Sequence, residues 1–120
     1  MHQVLIIDDN DLVVDLLKTI FTSFGYEVST AHDGKEGVEL FNSSSNFDMI
    51  FTDITMPGMD GNEVARSIRG SDKADVPIIA MSGYDDKADN ELFTLSLQKP
   101  FNLQALKDVI ESIEGCRKVV

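Results

Sequence analysis

The chain has 120 residues, 42% hydrophobic and 26% charged, with a net charge of −11 and one cysteine. That length gives a single domain with one core, built without disulfides or a structural metal, and the lone Cys116 has no internal partner. The acidity excludes direct nucleic-acid contact, which rests on neutralising phosphates with Lys and Arg, and disfavours anionic membrane surfaces.

In chain order, the apolar run VLII at Val4–Ile7 predicts a buried strand that ends in Asp8–Asp9. Asn10 can cap a first helix, Asp11 suits its N-terminal dipole, and Leu12, Leu16, Ile20 and Phe24 recur along it before Gly25 ends it. Glu27–Ala31 is a second strand. Asp33 and Glu36 predict a capping box for a helix carrying Val38, Leu40 and Phe41, followed by the polar loop Asn42–Asn46. Phe47–Ile54 is a third strand, ending near Asp53, and the segment Met56–Gly61 is a turn. Asp60 and Glu63 then open a helix with Val64, Ala65 and Ile68.

A fourth strand is expected over Val76–Met81, ending at Ser82, with a weak helical signal over Asp86–Phe93. Leu95–Gln98 is a fifth strand and leads into Lys99. Asn102 caps a final helix with Leu103, Leu106, Val109, Ile110 and Ile113, stopped at Gly115. Strands alternating with helices predict an α/β fold: a parallel sheet with helices on both faces and right-handed crossovers. No apolar stretch nears the roughly 20 residues that span a bilayer. The N-terminal run lacks the basic flank of a signal peptide, so a cytoplasmic protein is expected.

The chemistry gathers where strands end, the edge at which open α/β sheets bind ligands. Asp8, Asp9 and Asp53 are carboxylates at two such ends. Crowded like charges repel and raise one another's pKa unless a cation joins them. Oxygen donors without Cys or His favour a hard ion, Mg2+ above all, since it keeps waters for an incoming phosphate. Asp8–Asp9 alone is equally the acidic start of a helix, Ser82 a turn hydroxyl and Lys99 a surface lysine. Taken together, they describe a site for a divalent cation and a phosphoryl group. Asp53 is the candidate nucleophile, because a carboxylate can attack phosphorus to give an acyl phosphate. Lys99 would add a second cation and Ser82 a hydrogen-bond donor.

The stretches VLIIDDN, FTDITMPGMDG, PIIAMSG and QKPF, in that order, closely resemble the receiver (CheY-like) domain of bacterial two-component response regulators. The resemblance spans nearly the whole chain and implies a flavodoxin-like, doubly wound five-stranded parallel sheet of order 2-1-3-4-5. It implies one receiver domain over residues 1–120, with no output domain in this chain. It makes Asp53 the phosphoacceptor. Asp9 becomes a direct metal ligand, Asp8 a ligand through water, and the Thr55 backbone carbonyl a third ligand, for Mg2+ or alternatively Mn2+. It makes Ser82 the switch hydroxyl, Lys99 its ion-pairing companion and Lys99–Pro100 a cis peptide, while Gly83 leaves the site open to a phosphodonor. The implied donor is a sensor histidine kinase or histidine phosphotransfer protein, docking on the first helix around Leu12–Leu16 and the loop after Lys99. The output is an unidentified protein target, and the receiver a monomer or a weak phosphorylation-dependent dimer. No enzymatic turnover is implied beyond the domain's own phosphorylation and dephosphorylation.

Three departures qualify that match. Ser96 stands where the family usually carries a switch aromatic, with Tyr84 or Phe93 as candidate substitutes. The interval from Ser82 to Lys99 is short by about one helical turn, which predicts a shortened fourth helix, or shortened connections to it, and an altered output face. Thr55 and Tyr84 occupy the positions that tune phosphoryl lifetime, and Tyr84 is bulky enough to shield the acyl phosphate. Two other readings stand beside the main one. A pseudo-receiver would keep the fold without the chemistry. A haloacid-dehalogenase-type phosphatase would use Asp9-Asn10-Asp11, but needs an acidic pair that nothing after Lys99 supplies.

Overall fold

The computed structural model describes residues 2–43, 46–83 and 86–118. Among the described residues, nine elements run β1 (Gln3–Ile7), α1 (Asp11–Ser23), β2 (Glu27–Ala31), α2 (Gly34–Ser43), β3 (Met49–Asp53), α3 (Gly61–Arg69), β4 (Ile78–Ser82), β5 (Leu95–Gln98) and α4 (Leu103–Lys118). The five strands are all parallel in the order β2-β1-β3-β4-β5. The chain therefore leaves β1 in both directions, and the crevice at that reversal lies over the ends of β1 and β3.

Because side chains alternate across a strand, the sheet feeds two cores. Val4, Ile6, Phe51, Ile79 and Met81 point to the face covered by Leu17 and Phe21 of α1 and Leu106, Ile110 and Ile113 of α4. Leu5, Ile7, Ile50, Ile78 and Ala80 point the other way, against Phe41 of α2 and Val64, Ala65 and Ile68 of α3. Strands buried on both faces read as continuous apolar runs, which is why VLII and PIIAM were visible as strands. No helix among the described residues is long and apolar enough to cross a membrane.

Local signals hold at most helix starts. The Asn10 side chain accepts the Leu12 N–H, and Asp60 and Glu63 form a complete capping box. Asn102 accepts the Ala105 N–H at 2.8 Å. At α2, Asp33 caps the Glu36 N–H at 2.7 Å, but Glu36 reaches back to the His32 N–H rather than to that of Asp33. Gly25 sits at φ +87°, the left-handed geometry that follows a helix end.

Several expectations need correction. The row Leu12, Leu16, Ile20 and Phe24 is not the buried stripe of α1. Leu12 is 79% and Leu16 55% exposed, whereas Val14, Leu17 and Phe21 are buried. A four-residue step overshoots the 3.6-residue turn, so such a row winds off the face it starts on. β3 and β4 are each trimmed at the start, β4 because Pro77 precedes its first paired residue. α4 continues through Gly115 to Lys118, since a glycine within a helix costs only about 1 kcal/mol.

The largest change lies between β4 and β5, where no helix occurs among the described residues. The expected shortened helix over Asp86–Phe93 is replaced by irregular chain and a turn at 90–92. Two side chains of α3 hold this connection. Arg69 donates to the Leu92 carbonyl within it at 2.9 Å, and to the carbonyls of Ala74 and Val76, in the link before β4, at 2.5 and 2.6 Å. Asn62 donates to the Lys87 carbonyl at 2.9 Å and accepts the Asp89 N–H at 2.8 Å. Phe93 then closes the core beside α3. Side-chain bonds thus satisfy backbone groups that a helix would have satisfied itself.

Candidate functional site

Parallel register brings the strand ends to one rim. The Asp8 N–H donates to the Ala31 carbonyl at 3.1 Å, and the Ile54 N–H to the Met81 carbonyl at 3.2 Å. β1 and β3 pair with Ile7 opposite Thr52, so Asp8 and Asp53 leave adjacent strands at the same level. The Lys99 N–H donates to the Ser82 carbonyl at 2.7 Å, which ties the end of β5 to the end of β4. The Lys99–Pro100 peptide is cis.

Asp8, Asp9 and Asp53 each offer a carboxylate oxygen within 4.8 Å of the others. Asp8 and Asp53 are buried, while Asp9 is exposed at the mouth. Asp8 uses both its oxygens: one accepts the Asn10 N–H at 2.9 Å, the other the Lys99 ammonium at 2.6 Å. Lys99 also reaches Asp53 at 3.3 Å. Burial, then the Asp8 charge, pushes the Asp53 carboxyl up from 3.8 to about 6, against the opposing pull of Lys99. Burial alone would lower the Lys99 ammonium, but hydrogen bonds and charge from Asp8 and Asp53 outweigh it and raise its pKa. One half-buried cation thus serves two buried carboxylates, leaving the three acids short of positive charge. That deficit, with oxygen donors and one open side, fits a hard divalent ion.

Residues 4–111 match the sequence profile of the response regulator receiver domain. The chain belongs to that family. It is 36% identical over 118 residues to a probable transcriptional regulator, ycf27, of Cyanidium caldarium, covering 93% of this chain and 46% of that protein. It is 33% identical over 123 residues to hybrid signal transduction histidine kinase I of Dictyostelium discoideum, covering 92% of this chain but 7% of that one. The chain therefore spans about half or less of the length of these two relatives. Among solved structures, the response regulator TrrA of Thermotoga maritima superposes with a TM-score of 0.85 at 34% identity, covering 94% of this chain and 99% of that one. TrrA has been seen with Mg2+–BeF and, separately, in complex with the histidine kinase ThkA.

Within this receiver, the sequence-predicted residues are placed differently. Asp8, Asp9, Asp53 and Lys99 converge directly, and Ser82 stands beside them at the end of β4. Thr55 lies on the rim, exposed, two residues past Asp53. Ser96 does not join the site: it pairs with Ala80 along the strands and is exposed. Phe93 is a buried core residue, and Tyr84 lies outside the described residues.

One site-proximal residue escaped the sequence reading. Asp86 accepts the Gly83 N–H at 2.6 Å and the Thr55 hydroxyl. Its only signal was position within a weakly helical stretch, and nothing in that stretch marks a carboxylate folding back on a strand end.

Proposed function

We propose that this receiver is a phosphoacceptor switch of a two-component or phosphorelay pathway, taking a phosphoryl group from a phosphohistidine onto Asp53. The observation that carries this reading is the buried Asp53 carboxylate, held at a strand end between Lys99 and the acidic pair Asp8–Asp9. The Asp53 oxygen attacks phosphorus as the P–N bond breaks, and the departing imidazole nitrogen keeps that electron pair. Lys99 offsets charge on the transferred group, and the Ser82 hydroxyl donates to one of its oxygens. Such transfer asks for positioning and charge neutralisation rather than acid–base work. Asp8, Asp9, Asp53 and the Thr55 carbonyl would hold Mg2+, or Mn2+ in its place, which when bound supplies positive charge to the phosphoryl oxygens.

Exposed Leu12 and Leu16 on α1, next to the site, suit the docking of a histidine kinase or phosphotransfer domain. Phosphorylation would then change protein contacts on a surface that lacks a β4–β5 helix among the described residues. We assign no turnover beyond the receiver's own phosphorylation and dephosphorylation. The complete acidic triad with its lysine weighs against the pseudo-receiver alternative, and the family match replaces the phosphatase one.

Incubation with Mg2+ and acetyl phosphate, followed by intact-mass spectrometry, tests the proposal. Wild type should gain one phosphoryl group, and EDTA should abolish the gain. Absence of any Mg2+-dependent gain would overturn it.

A further inference from the structure

Asp86 bridges the two loops that flank the acceptor. Oδ2 accepts the N–H of Gly83, one residue past Ser82, at 2.6 Å. Oδ1 accepts the hydroxyl of Thr55, two residues past Asp53. The Asp86 N–H returns to the Gly83 carbonyl at 3.3 Å, which closes a small ring. A Cβ on Gly83 would stand 3.2 Å from that carboxylate, so glycine gives it room. The chain just beyond is pinned to α3 by both ends of the Asn62 amide. A held backbone therefore delivers this carboxylate. The Thr55 and Gly83 hydrogen bonds, and more weakly the Lys99 charge, keep its pKa below the usual carboxylate range. Asp86 also lines a shallow cleft of about 400 Å3 with Thr55, Gly58, Asp60 and Asn62.

An anion thus already sits on two donors at the mouth of an anion-transfer site. A backbone N–H and a hydroxyl fixed beside an acceptor are what phosphoryl oxygens require. We propose that Asp86 is a positioning residue for phosphoryl transfer: an internal carboxylate that competes with the phosphoryl oxygens for the Gly83 N–H and the Thr55 hydroxyl. It must swing aside before Ser82 closes on the group. Asp86 thereby favours the unphosphorylated receiver and sets how tightly the phosphoryl state is held. No covalent bond changes at Asp86. The inference rests on the reading of Asp53 as acceptor.

Beryllofluoride, a stable phosphoryl mimic, provides the test, titrated calorimetrically in saturating Mg2+. Asp86→Ala should bind it about three- to tenfold tighter than wild type, the range that release of two partly exposed hydrogen bonds supports. Asp86→Asn keeps an acceptor oxygen without the charge and should fall between them. In the free protein, the Gly83 amide NMR resonance should lose its hydrogen-bonded shift in Asp86→Ala and regain it with beryllofluoride. Equal or weaker binding by Asp86→Ala would overturn the proposal. So would identical gains for the Asn and Ala variants, which would mean charge repulsion without competition, or an unmoved Gly83 resonance. If wild type itself bound no beryllofluoride, the reading of Asp53 would fall, and this one with it.

Discussion

Replacing Asp53 with asparagine should stabilise the metal-free receiver at neutral pH, although it removes the proposed acceptor. The folded protein holds the Asp53 proton up to about pH 6, against 3.8 for an ordinary carboxyl. Each unit of that difference is worth 1.36 kcal/mol, so keeping Asp53 ionised costs the folded state about 3 kcal/mol. The folded pKa lies above the unfolded one, so the folded state binds more protons between these values. Wild-type stability therefore falls, relative to the neutral variant, as pH rises from about 4 to about 6, and the gap is constant above that. Asparagine copies the shape of the protonated acid and leaves Lys99 its 2.6 Å contact with Asp8. Urea denaturation followed by circular dichroism, in EDTA at pH 5 and pH 7.5, reads the difference. Asp53→Asn should exceed wild type by about 2–3 kcal/mol at pH 7.5 and by clearly less at pH 5. Saturating Mg2+ should narrow the gap by stabilising wild type through mass action. A variant no more stable than wild type at pH 7.5 would refute the reasoning.

Two further substitutions probe the frame around the acceptor. Lys99→Ala leaves the fully buried Asp8 without its cation and should cost about 3 kcal/mol in EDTA; Mg2+ should restore part of that loss in the same urea titration. In Gly61→Ala, the new methyl would land on the Asp53 carbonyl oxygen and the Ile54 backbone. That overlap should cost about 1–3 kcal/mol and weaken Mg2+ binding measured by calorimetry, because it displaces the strand end that carries the acceptor.

What the sequence disclosed depended on how locally each feature is encoded. Strands buried on both faces announce themselves as apolar runs, and capping residues such as Asn10, Asp60 and Asn102 act within three positions of themselves. The sheet, its order and the converging acids were therefore legible. The orientation of α1 was not, because Leu12 and Val14 are equally apolar and only packing chooses between them. The β4–β5 connection failed for a related reason. Its shape is dictated by Arg69 and Asn62, which act from more than 20 residues away on Leu92 and Lys87. Asp86 inherits its position from that tertiary scaffold, so no local pattern could have marked it.

The central claim is that the phosphoryl group resides on one carboxylate, Asp53. Borohydride reduces an aspartyl phosphate to homoserine and leaves free carboxylates untouched, so peptide mass mapping after Mg2+-dependent phosphorylation locates the acyl phosphate directly. Homoserine should appear at position 53 in wild type, with no reduced residue at Asp8 or Asp9 and none anywhere in Asp53→Asn. Homoserine at another aspartate in wild type, or equal labelling of the Asp53→Asn variant, would contradict the account.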